Sequence, residues 1–391
     1  MPLRGQSTGS VRPGGGGSGG GWYESLTGWE HCAVIGAFDY RPYLNLDPGM
    51  SMRALVITAP GEYGLGNHDL PAADPGDLLL APLAVGLCAT DVELLDGSMV
   101  YLRDGRARLP LVPGHEWVAR VLDAGAPGSG FAVGDVVVGE CSIGCGHCPV
   151  CASGAYHQCP RRQETGVMNR DGALAEQLRF PAGSAHQVPA GVAVEDAVFA
   201  EPTAVALRAV LRSGAEDGSR VLVVGGGTLG WLAAAVFLDL LDCDVAALDP
   251  DAGRMQRLLS LGARGPEEGE RFDFVLEASG SPSGVSAALD RLGPSGRMVV
   301  ISLTGAGSVP VDLDRVVVND QVVLGSLGSP GVWGQALELL GRGRVRPSTL
   351  VTHRYPLAAV DQAVPALRRR APGTGKILVL PQEQVADERH E

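Results

Sequence analysis

The sequence predicts an α/β protein in which a β-rich domain is followed by a doubly wound parallel sheet. The chain of 391 residues is longer than one typical domain, and its 45% hydrophobic and 19% charged residues are typical of a globular protein. From Met52 to about Glu201, short β-rich runs are broken by Gly and Pro, as at residues 78–83 and 134–139. After Pro202 the pattern changes to strands that alternate with helical stretches, which favours a parallel sheet.

The second domain is predicted to hold most of the parallel strands. They are expected at residues 220–224, 244–249, 272–278, 296–303 and 321–328. A weak edge strand near Ala263 would bring the sheet to about six strands. A helix is predicted over residues 331–341, and a final strand over 376–380. We therefore expect a first domain over residues 51–201, a second over 202–342, and a return to the first domain over 343–391.

The acidic composition argues against two classes of partner. A net charge of −13 and an isoelectric point near 5.1 disfavour a phosphate backbone, because affinity for nucleic acid depends on clustered Lys and Arg. The chain has no run of about 18 apolar residues to span a bilayer. We expect neither a nucleic-acid partner nor a membrane segment.

The first fifty residues differ from the rest. Residues 13–21 form a Gly/Ser tract that cannot bury apolar surface, so residues 1–50 are predicted to be a disordered extension. They contain no apolar core of a signal peptide, which predicts a cytoplasmic protein. The first predicted strand begins at Ser51, between Met50 and Met52, and our hypothesis is that translation starts there. An intact mass that includes Met1 would contradict it.

Five of the eight cysteines are crowded together between residues 141 and 159, which in a reducing compartment points to metal rather than disulfides. Four have the spacing C-x2-C-x2-C-x7-C, namely Cys145, Cys148, Cys151 and Cys159. Four thiolates close the tetrahedral shell of zinc, so a structural zinc lobe is predicted over residues 141–160. An iron–sulfur cluster and free cysteines are the disfavoured alternatives. Cys141 lies outside the spacing and is interpreted as a bystander.

A second set of metal-ligand residue types is spread along the first domain. Cys88, His115 and Glu201 offer a thiolate, an imidazole and a carboxylate, and three such ligands leave a fourth position for water or substrate. Alone, each has an ordinary explanation: a buried cysteine, a hydrogen-bonded core histidine, a glutamate at a helix start. Their presence beside a four-cysteine lobe and a nucleotide motif favours a catalytic zinc site.

The nucleotide motif is rich in glycine and follows the first strand of the second domain. It reads G-x-G-x-x-G, with Gly225, Gly227, Thr228, Leu229 and Gly230, between a predicted strand and a predicted helix. In this context the glycines permit a tight turn, a close approach to a pyrophosphate and close packing of helix on strand. The helix N-terminus would hold the pyrophosphate.

Asp249 ends the next predicted strand, 19 residues after Gly230, where an acidic residue accepts hydrogen bonds from the adenosine ribose. A helix cap before Pro250 is the alternative interpretation. A 2′-phosphate would meet a like charge at this position, so the sequence predicts NAD rather than NADP. Arg254 lies five residues further and is expected to face the adenine or the solvent.

Together these motifs resemble those of the zinc-containing medium-chain alcohol and polyol dehydrogenases. The residues that carry the resemblance are Cys88-Ala89-Thr90-Asp91, Gly114-His115-Glu116, the four lobe cysteines, Glu201-Pro202 and the glycine motif. It covers the chain from Met52 to about Leu380 and points to the sorbitol, threonine and cyclitol branch, including proteins like 2-deoxy-scyllo-inosamine dehydrogenase. It implies a GroES-like β-rich catalytic domain, a Rossmann domain that binds NAD, two zinc ions per chain, and a homo-oligomer, either a dimer or a tetramer.

The resemblance also implies roles for individual residues. Cys88 and His115 would bind the catalytic zinc, with either Glu116 or Glu201 as the third ligand. The sequence does not decide between these two carboxylates. Asp91 would accept a hydrogen bond from the far ring nitrogen of His115 and thereby orient the ring.

Thr90 would begin a proton relay, since a hydroxyl group can accept and donate a proton at once. Two positions near it depart from the family pattern. Glu93 stands where many relatives have a histidine, and because a carboxylate is the weaker base at neutral pH, we expect the relay to differ. Ala89 stands where relatives commonly have Gly, with a small expected effect.

The sequence therefore predicts a zinc-dependent dehydrogenase that transfers a hydride between a secondary alcohol and NAD. Residues 161–177 and Glu201 look most like the polyol and cyclitol branch, so polyols, cyclitols and amino-cyclitols rank ahead of threonine and simple alcohols as substrates. One alternative is a zinc-free reductase on the same fold, and another is a non-catalytic nucleotide-sensing protein. Two zinc ions per chain together with NAD-dependent turnover would separate the dehydrogenase from both.

Overall fold

The structure is a computed structural model that describes residues 51–369, 371 and 373–382 of the 391-residue chain. The predicted extension over residues 1–50 lies outside the described residues. Within the described ranges, no helix combines the length and the apolar character needed to cross a membrane.

The first region is built mainly of short strands. They are β1 (Ser51–Ala59), β2 (Glu62–Asp69), β3 (Asp77–Leu87), β4 (Glu116–Asp123), β5 (Val136–Gly139), β6 (Ser142–Ile143), β7 (Gln163–Thr165), β8 (Asn169–Arg170), β9 (Leu178–Pro181) and β10 (Ala185–Gln187). Short helices lie between these strands and after the last of them: α1 (Ala89–Asp96), α2 (Val100–Arg103), α3 (Pro149–Ala152) and α4 (Val194–Ala197). A 3-10 turn, Tyr156–Gln158, follows α3.

Strand β3 organises the first region. Ten of its eleven residues are buried, because the run is apolar on both faces of the strand. It pairs antiparallel with β4 and with β9. Pro82 cannot donate to a strand ladder, and it lies where the β3–β4 register shifts, between Pro82 and Ala84. The strand ends at Leu87, so Cys88 emerges directly from the core.

The second region alternates helices with parallel strands. Its helices are α5 (Ala200–Ser213), α6 (Thr228–Leu240), α7 (Ala252–Leu261), α8 (Pro282–Arg291), α9 (Leu313–Val318) and α10 (Trp333–Gly341). Its strands are β11 (Arg220–Val224), β12 (Asp244–Leu248), β13 (Phe272–Glu277), β14 (Leu292–Val300) and β15 (Val322–Gly325). All pair in parallel, in the order β12-β11-β13-β14-β15, which confirms the predicted doubly wound sheet.

The margins of this sheet differ from the prediction. Near Ala263 the described chain forms an isolated bridge between Arg264 and Ala246 rather than a strand, so the sheet has five strands and not six. Side chains hold the bridge, since Arg264 donates to both Asp244 and Glu270. Strand β14 also begins four residues earlier than predicted, at residue 292.

The end of the chain returns to the first region. Strands β16 (Val351–Pro356) and β17 (Lys376–Leu380) are separated by α11 (Val360–Arg369). The main sheet has the order β10-β5-β4-β3-β17-β16, with β9 also paired with β3. Because Ile377 is the antiparallel partner of Leu87, the register brings Lys376 next to Cys88. A residue near the C-terminus thus reaches the predicted zinc site.

The hydrophobic core has two main parts. The larger joins the two regions and includes Phe199, Trp231 and Trp333 together with apolar residues of the main sheet. The second fills the first region, where the rings of Trp117 and Phe180 pack edge to face with centroids 4.9 Å apart. Such an aromatic pair contributes about 1 kcal/mol beyond the area that it buries.

Candidate catalytic and structural metal sites

The four cysteines of the predicted lobe converge on one point. Their sulfur atoms all lie within 4.8 Å of one another, with 3.9 Å between Cys145 and Cys151 and 3.7 Å between Cys148 and Cys159. Sulfurs bound at about 2.3 Å to a tetrahedral zinc ion lie about 3.8 Å apart. The lobe therefore fits a zinc ion enclosed by four thiolates.

Several N–H groups donate hydrogen bonds to sulfur atoms of the lobe, which favours negatively charged thiolates. Cys148 caps α3, where its Sγ accepts the backbone N–H of Cys151 at 3.4 Å. The guanidinium of Arg161 donates to the Sγ of Cys145 at 3.4 Å. Backbone hydrogen bonds, chiefly at His147, lower the pKa of Cys145 to about 5. That sulfur is therefore a thiolate at neutral pH, the form that binds metal.

Cys88 and His115 meet at the second predicted metal site. Cys88 follows β3 and precedes α1, His115 directly precedes β4, and the pairing of these two strands brings the residues together. The Sγ of Cys88 and the Nε2 of His115 are 3.2 Å apart. With a carboxylate oxygen of Asp91, these atoms lie within 4.8 Å of one another. A thiolate and an imidazole nitrogen at this separation suit a shared zinc ion.

Asp91 lies in the first turn of α1 and is only 1% exposed. Its Oδ2 accepts the backbone N–H of Cys88 at 2.9 Å, while its Oδ1 lies 3.7 Å from the Nδ1 of His115. That separation is too long for the predicted hydrogen bond and is instead that of an ion pair. Burial opposes a charge on the ring, but Cys88 and Asp91 outweigh it and raise the pKa of His115.

The two candidate third ligands have different surroundings. Glu116 begins β4 and forms an ion pair with Lys376 of β17, and both residues are buried. Glu201 lies in the first turn of α5 and has no hydrogen-bond or ion-pair partner in the described part of the chain. Burial raises the pKa of Glu201 to about 7, with the charges of His115 and Lys376 opposing the rise. Neither carboxylate belongs to the group of atoms within 4.8 Å.

Two residues near this site were not identified from the sequence. Lys376 is the one charged residue of the apolar strand β17, and that exception was a usable signal. Cys141 was interpreted as a bystander, and it does lie outside the lobe cluster. Burial raises the pKa of its thiol, with further contributions from the nearby Glu164, Glu201 and Cys88. Cys141 is therefore a neighbour of the second metal site.

The predicted proton-relay residues both lie in α1, the helix that begins after Cys88. Thr90 is its second residue and Glu93 its fifth, and both are half-buried. Leu94 and Leu95 of the same helix are buried in the core and fix its position. Thr90 thus lies within the first turn beside the metal site, with Glu93 about one turn further along.

The glycine motif has the strand–turn–helix geometry that its sequence predicts. Gly225 has φ 101°, in the left-handed region that favours glycine. A β-carbon at Gly230 would lie 1.7 Å from the carbonyl oxygen of Gly225, so helix and strand meet too closely for any side chain. Gly227 precedes Thr228 and Leu229 at the start of α6, and among the described residues no atom beyond its chain neighbours lies within 4 Å of its missing β-carbon. That open side suits an approaching pyrophosphate.

Asp249 follows β12 and turns back towards the glycine motif. Its Oδ2 accepts the N–H of Gly226 at 2.6 Å, and its Oδ1 accepts the N–H of Asp251 at 2.8 Å. It is not the helix cap, because Asp251 caps α7 by accepting the N–H of Arg254. The guanidinium of Arg254 lies 3.9 Å from Asp249, so it borders the motif rather than pointing away from it.

Comparisons with known proteins agree with this geometry. The family model of the alcohol dehydrogenase GroES-like domain matches residues 74–190. Over 349 residues the chain is 31% identical to an L-threonine 3-dehydrogenase of Shewanella woodyi, covering 84% of this chain and 99% of that protein. Over 340 residues it is 30% identical to an erythritol/L-threitol dehydrogenase of Mycolicibacterium smegmatis, covering 80% of this chain and 93% of that protein.

The fold is shared with solved dehydrogenase structures. An alcohol dehydrogenase of Thermus sp. ATN1 superposes with a TM-score of 0.76 at 29% sequence identity, covering 84% of this chain and 99% of that one. A likeness that extends over both domains shows that the chain belongs to the zinc-containing medium-chain alcohol and polyol dehydrogenases, a family of NAD(P)-dependent oxidoreductases.

Proposed function

We propose that this enzyme oxidises a secondary hydroxyl of a polyol, cyclitol or amino-cyclitol, with NAD as the hydride acceptor. The observation that carries the proposal is the set of carboxylates around Cys88 and His115. The negative charges of Glu116 and Glu164 both help to raise the pKa of Glu201, and Glu164 is only 5% exposed. Glu116 is paired with Lys376 and Glu164 with Arg162, so charged groups surround Cys88 and His115. Such polar surroundings suit a substrate with several hydroxyl or ammonium groups better than a simple alcohol.

Cys88 and His115 are the residues proposed to hold the catalytic zinc, with Glu201 as the third ligand. Glu201 is favoured over Glu116 because its carboxylate has no other partner in the described chain, whereas Glu116 is paired with Lys376. When bound, zinc supplies a Lewis acid that polarises the substrate oxygen. The sites of both zinc ions thus have suitable donor sets, one closed by four thiolates and one open to substrate.

The proton and the cofactor are assigned to two other parts of the site. The Thr90 hydroxyl, at the start of α1, is proposed to accept the proton of the substrate hydroxyl and pass it towards solvent. The glycine motif orients the dinucleotide, whose nicotinamide supplies the hydride chemistry. Asp249 accepts a hydrogen bond from the N–H of Gly226. It is proposed to favour NAD over NADP, because its negative charge would repel a 2′-phosphate.

The substrate class is tested by kcat/KM measured with NAD on a panel of polyols, inositols, amino-cyclitols, L-threonine and simple secondary alcohols. We expect the best polyol or cyclitol to exceed the simple alcohols by about a hundredfold or more, since a pocket of buried polar groups rejects a substrate that cannot pair them. Higher kcat/KM on a simple alcohol or on L-threonine would contradict the proposed class. Zinc analysis of the same preparation should give two ions per chain.

We also infer that the enzyme is a homo-oligomer that associates through the β15 edge of the second sheet. Strand β15 is the last strand of this sheet, and no described strand pairs with its outer edge. Eight of the eleven exposed large apolar side chains of the described residues are concentrated there: Leu303, Val311, Leu313, Val317, Val318, Val322, Val323 and Leu327. A second copy of the same strand is self-complementary when it pairs antiparallel, so this apolar edge suits a twofold dimer.

Light scattering coupled to size-exclusion chromatography tests this interface. The native protein should be a dimer or a tetramer, and the double variant Val318→Glu, Val323→Lys should dissociate, because it places charges in an apolar contact. Leu259→Lys, at an exposed leucine of α7 outside the edge, is the matched control and should keep the native mass. A monomeric native protein would contradict the inference.

A further inference from the structure

The cysteine lobe contacts residues 326–333 of the second region, here called the latch segment. The latch segment directly follows β15 and precedes the bulk of α10. Ligands of open parallel sheets bind at the carboxyl ends of the strands. The latch segment therefore starts at the end of the sheet where a dinucleotide is received.

Tyr156 of the lobe forms the central contact with the latch segment. Its hydroxyl donates to the Oε2 of Glu140 at 2.5 Å and accepts the N–H of Gly331 at 3.3 Å. Its side chain packs inside the lobe, where a β-carbon at Gly144 would lie 2.7 Å from the Tyr156 Cβ. One hydroxyl thus connects the lobe, the end of β5 and the latch segment.

Glu140 extends the network to the aromatic end of the latch segment. Its Oε1 accepts the Nε2–H of His186 at 3.0 Å. The His186 ring stacks on the ring of Trp333, with centroids 5.1 Å apart and planes 5° from parallel. The Nε1–H of Trp333 donates to the Oγ of Ser329 at 3.1 Å, so the latch segment is also closed on itself.

The other end of the latch segment is held in the same way. The Arg208 guanidinium of α5 donates to the carbonyl oxygen of Leu327 at 2.8 Å and to the Nε2 of His157 at 3.3 Å. A β-carbon at Gly328 would lie 3.5 Å from the Oγ of Ser142 and 3.6 Å from the Cβ of His157. The latch segment is therefore fastened at both ends to the lobe and to residues that flank it.

We propose that the cysteine lobe anchors the latch segment, and that Tyr156 and Glu140 are positioning residues for the dinucleotide cofactor. They hold the latch segment in one conformation at the carboxyl end of the sheet. The free energy of cofactor binding is therefore not reduced by the entropy cost of ordering this segment. This gives the structural zinc lobe a second role beyond stability. The inference rests on the proposed use of a dinucleotide, and not on the proposed substrate.

The variant Tyr156→Phe tests the proposal because it keeps the ring in the lobe and removes only the hydroxyl. We expect the dissociation constant for NADH, measured by nicotinamide fluorescence, to rise about 5- to 20-fold, the range for loss of one or two hydrogen bonds. The KM for NAD should rise with it, while kcat at saturating NAD and the zinc content stay near native values. Hydrogen exchange of the peptide that contains Gly331 should become faster.

Tyr355→Phe is the matched control, since the Tyr355 hydroxyl has no partner in the described chain, and it should bind NADH as the native enzyme does. The double variant Tyr156→Phe, His186→Gln should weaken binding by less than the product of the two single effects, because both residues act through Glu140. Native NADH affinity in Tyr156→Phe, or an effect that appears only with loss of zinc, would overturn the proposal. Failure of the native enzyme to bind NADH would instead contradict the proposed function.

Discussion

The two proposed metal sites of this enzyme are assembled in opposite ways. The lobe takes its four sulfurs from one short stretch between Cys145 and Cys159, so a few turns suffice to bring them together. The proposed catalytic site takes Cys88 from directly after β3, His115 from directly before β4 and Glu201 from α5. A local site of this kind helps to hold the fold, whereas a site gathered from distant elements depends on the fold already being formed.

The electrostatic surroundings differ in the same sense. In the lobe, backbone hydrogen bonds of the local chain lower the pKa of Cys145, whereas burial raises the pKa of Cys151. The catalytic site is surrounded by buried charges from several elements, Asp91 on α1, Glu116 on β4 and Lys376 on β17. Loss of the lobe should therefore cost stability, and loss of a catalytic ligand should cost activity.

The largest expected effect is on turnover in Cys88→Ala. Loss of the thiolate should lower kcat/KM by about a thousandfold or more, because a bound Lewis acid contributes several kcal/mol to transition-state stabilisation. The melting temperature and the NADH affinity should stay close to native values, and zinc analysis should give one ion per chain. A variant that retains activity and two zinc ions would show that Cys88 is not a ligand.

Cys148→Ala should mainly lower stability, in contrast to Cys88→Ala, which should mainly lower activity. Removal of one lobe ligand should lower the melting temperature by about 10 °C or more, because a structural zinc site contributes folding free energy directly. Cys243→Ala serves as the control, since Cys243 is buried in the second region and belongs to neither metal cluster, and it should cost far less. Equal melting temperatures for the two variants would remove the distinction between the sites.

Zinc affinity and thermal stability should distinguish the two candidate third ligands, Glu201 and Glu116. Glu201→Gln should weaken catalytic zinc binding about 10- to 100-fold with little change in melting temperature. Glu116→Gln should lower the free energy of unfolding by about 3 kcal/mol, because it leaves the buried Lys376 without its partner. Titration with zinc and thermal denaturation measure the two effects, and the reverse pattern would make Glu116 the ligand.

Cofactor choice should change more modestly. In the native enzyme kcat/KM should favour NAD over NADP, and in Asp249→Ala this preference should shrink by about tenfold, because the repulsion of the 2′-phosphate is relieved. The nearby Arg254, 3.9 Å from Asp249, is then free to meet that phosphate. Equal use of both cofactors by the native enzyme would contradict the role assigned to Asp249.

A further expected effect is a pH dependence of stability. The pKa of Glu201 rises from 4.5 to about 7 on folding, so the folded chain binds the extra proton and its stability falls as the pH rises through this range. In Cys88→Ala, which is expected to lack the catalytic zinc, the melting temperature should therefore fall between about pH 5 and pH 7. Adding Glu201→Gln should flatten that slope, and an unchanged slope would assign the dependence to other groups.

Agreement between sequence and structure follows the range of the interactions. The strand β11, the glycine turn and the start of α6 lie where the sequence predicts them, since a tight turn with φ 101° at Gly225 is a local requirement. The prediction of a sixth strand was wrong. Whether a segment pairs with the edge of a sheet depends on the neighbouring strand and on side chains such as Arg264. The separation of Asp91 from His115 was likewise beyond prediction, as it depends on the pairing of β3 with β4, which sets His115 against the start of α1.

The sequence by itself determined the parts of this protein that are encoded within a few residues, the four-cysteine lobe and the glycine motif, and it indicated the residue types of the proposed catalytic zinc site. Only the tertiary structure decided which of the two candidate carboxylates, Glu116 or Glu201, is already paired with another residue. Glu116 forms an ion pair with Lys376 because of the antiparallel register of β17 on β3. It alone also placed Cys141 beside the catalytic site and fastened residues 326–333 to the lobe. Spacing specifies contacts along a turn, whereas contacts between distant strands depend on a register that the whole core selects.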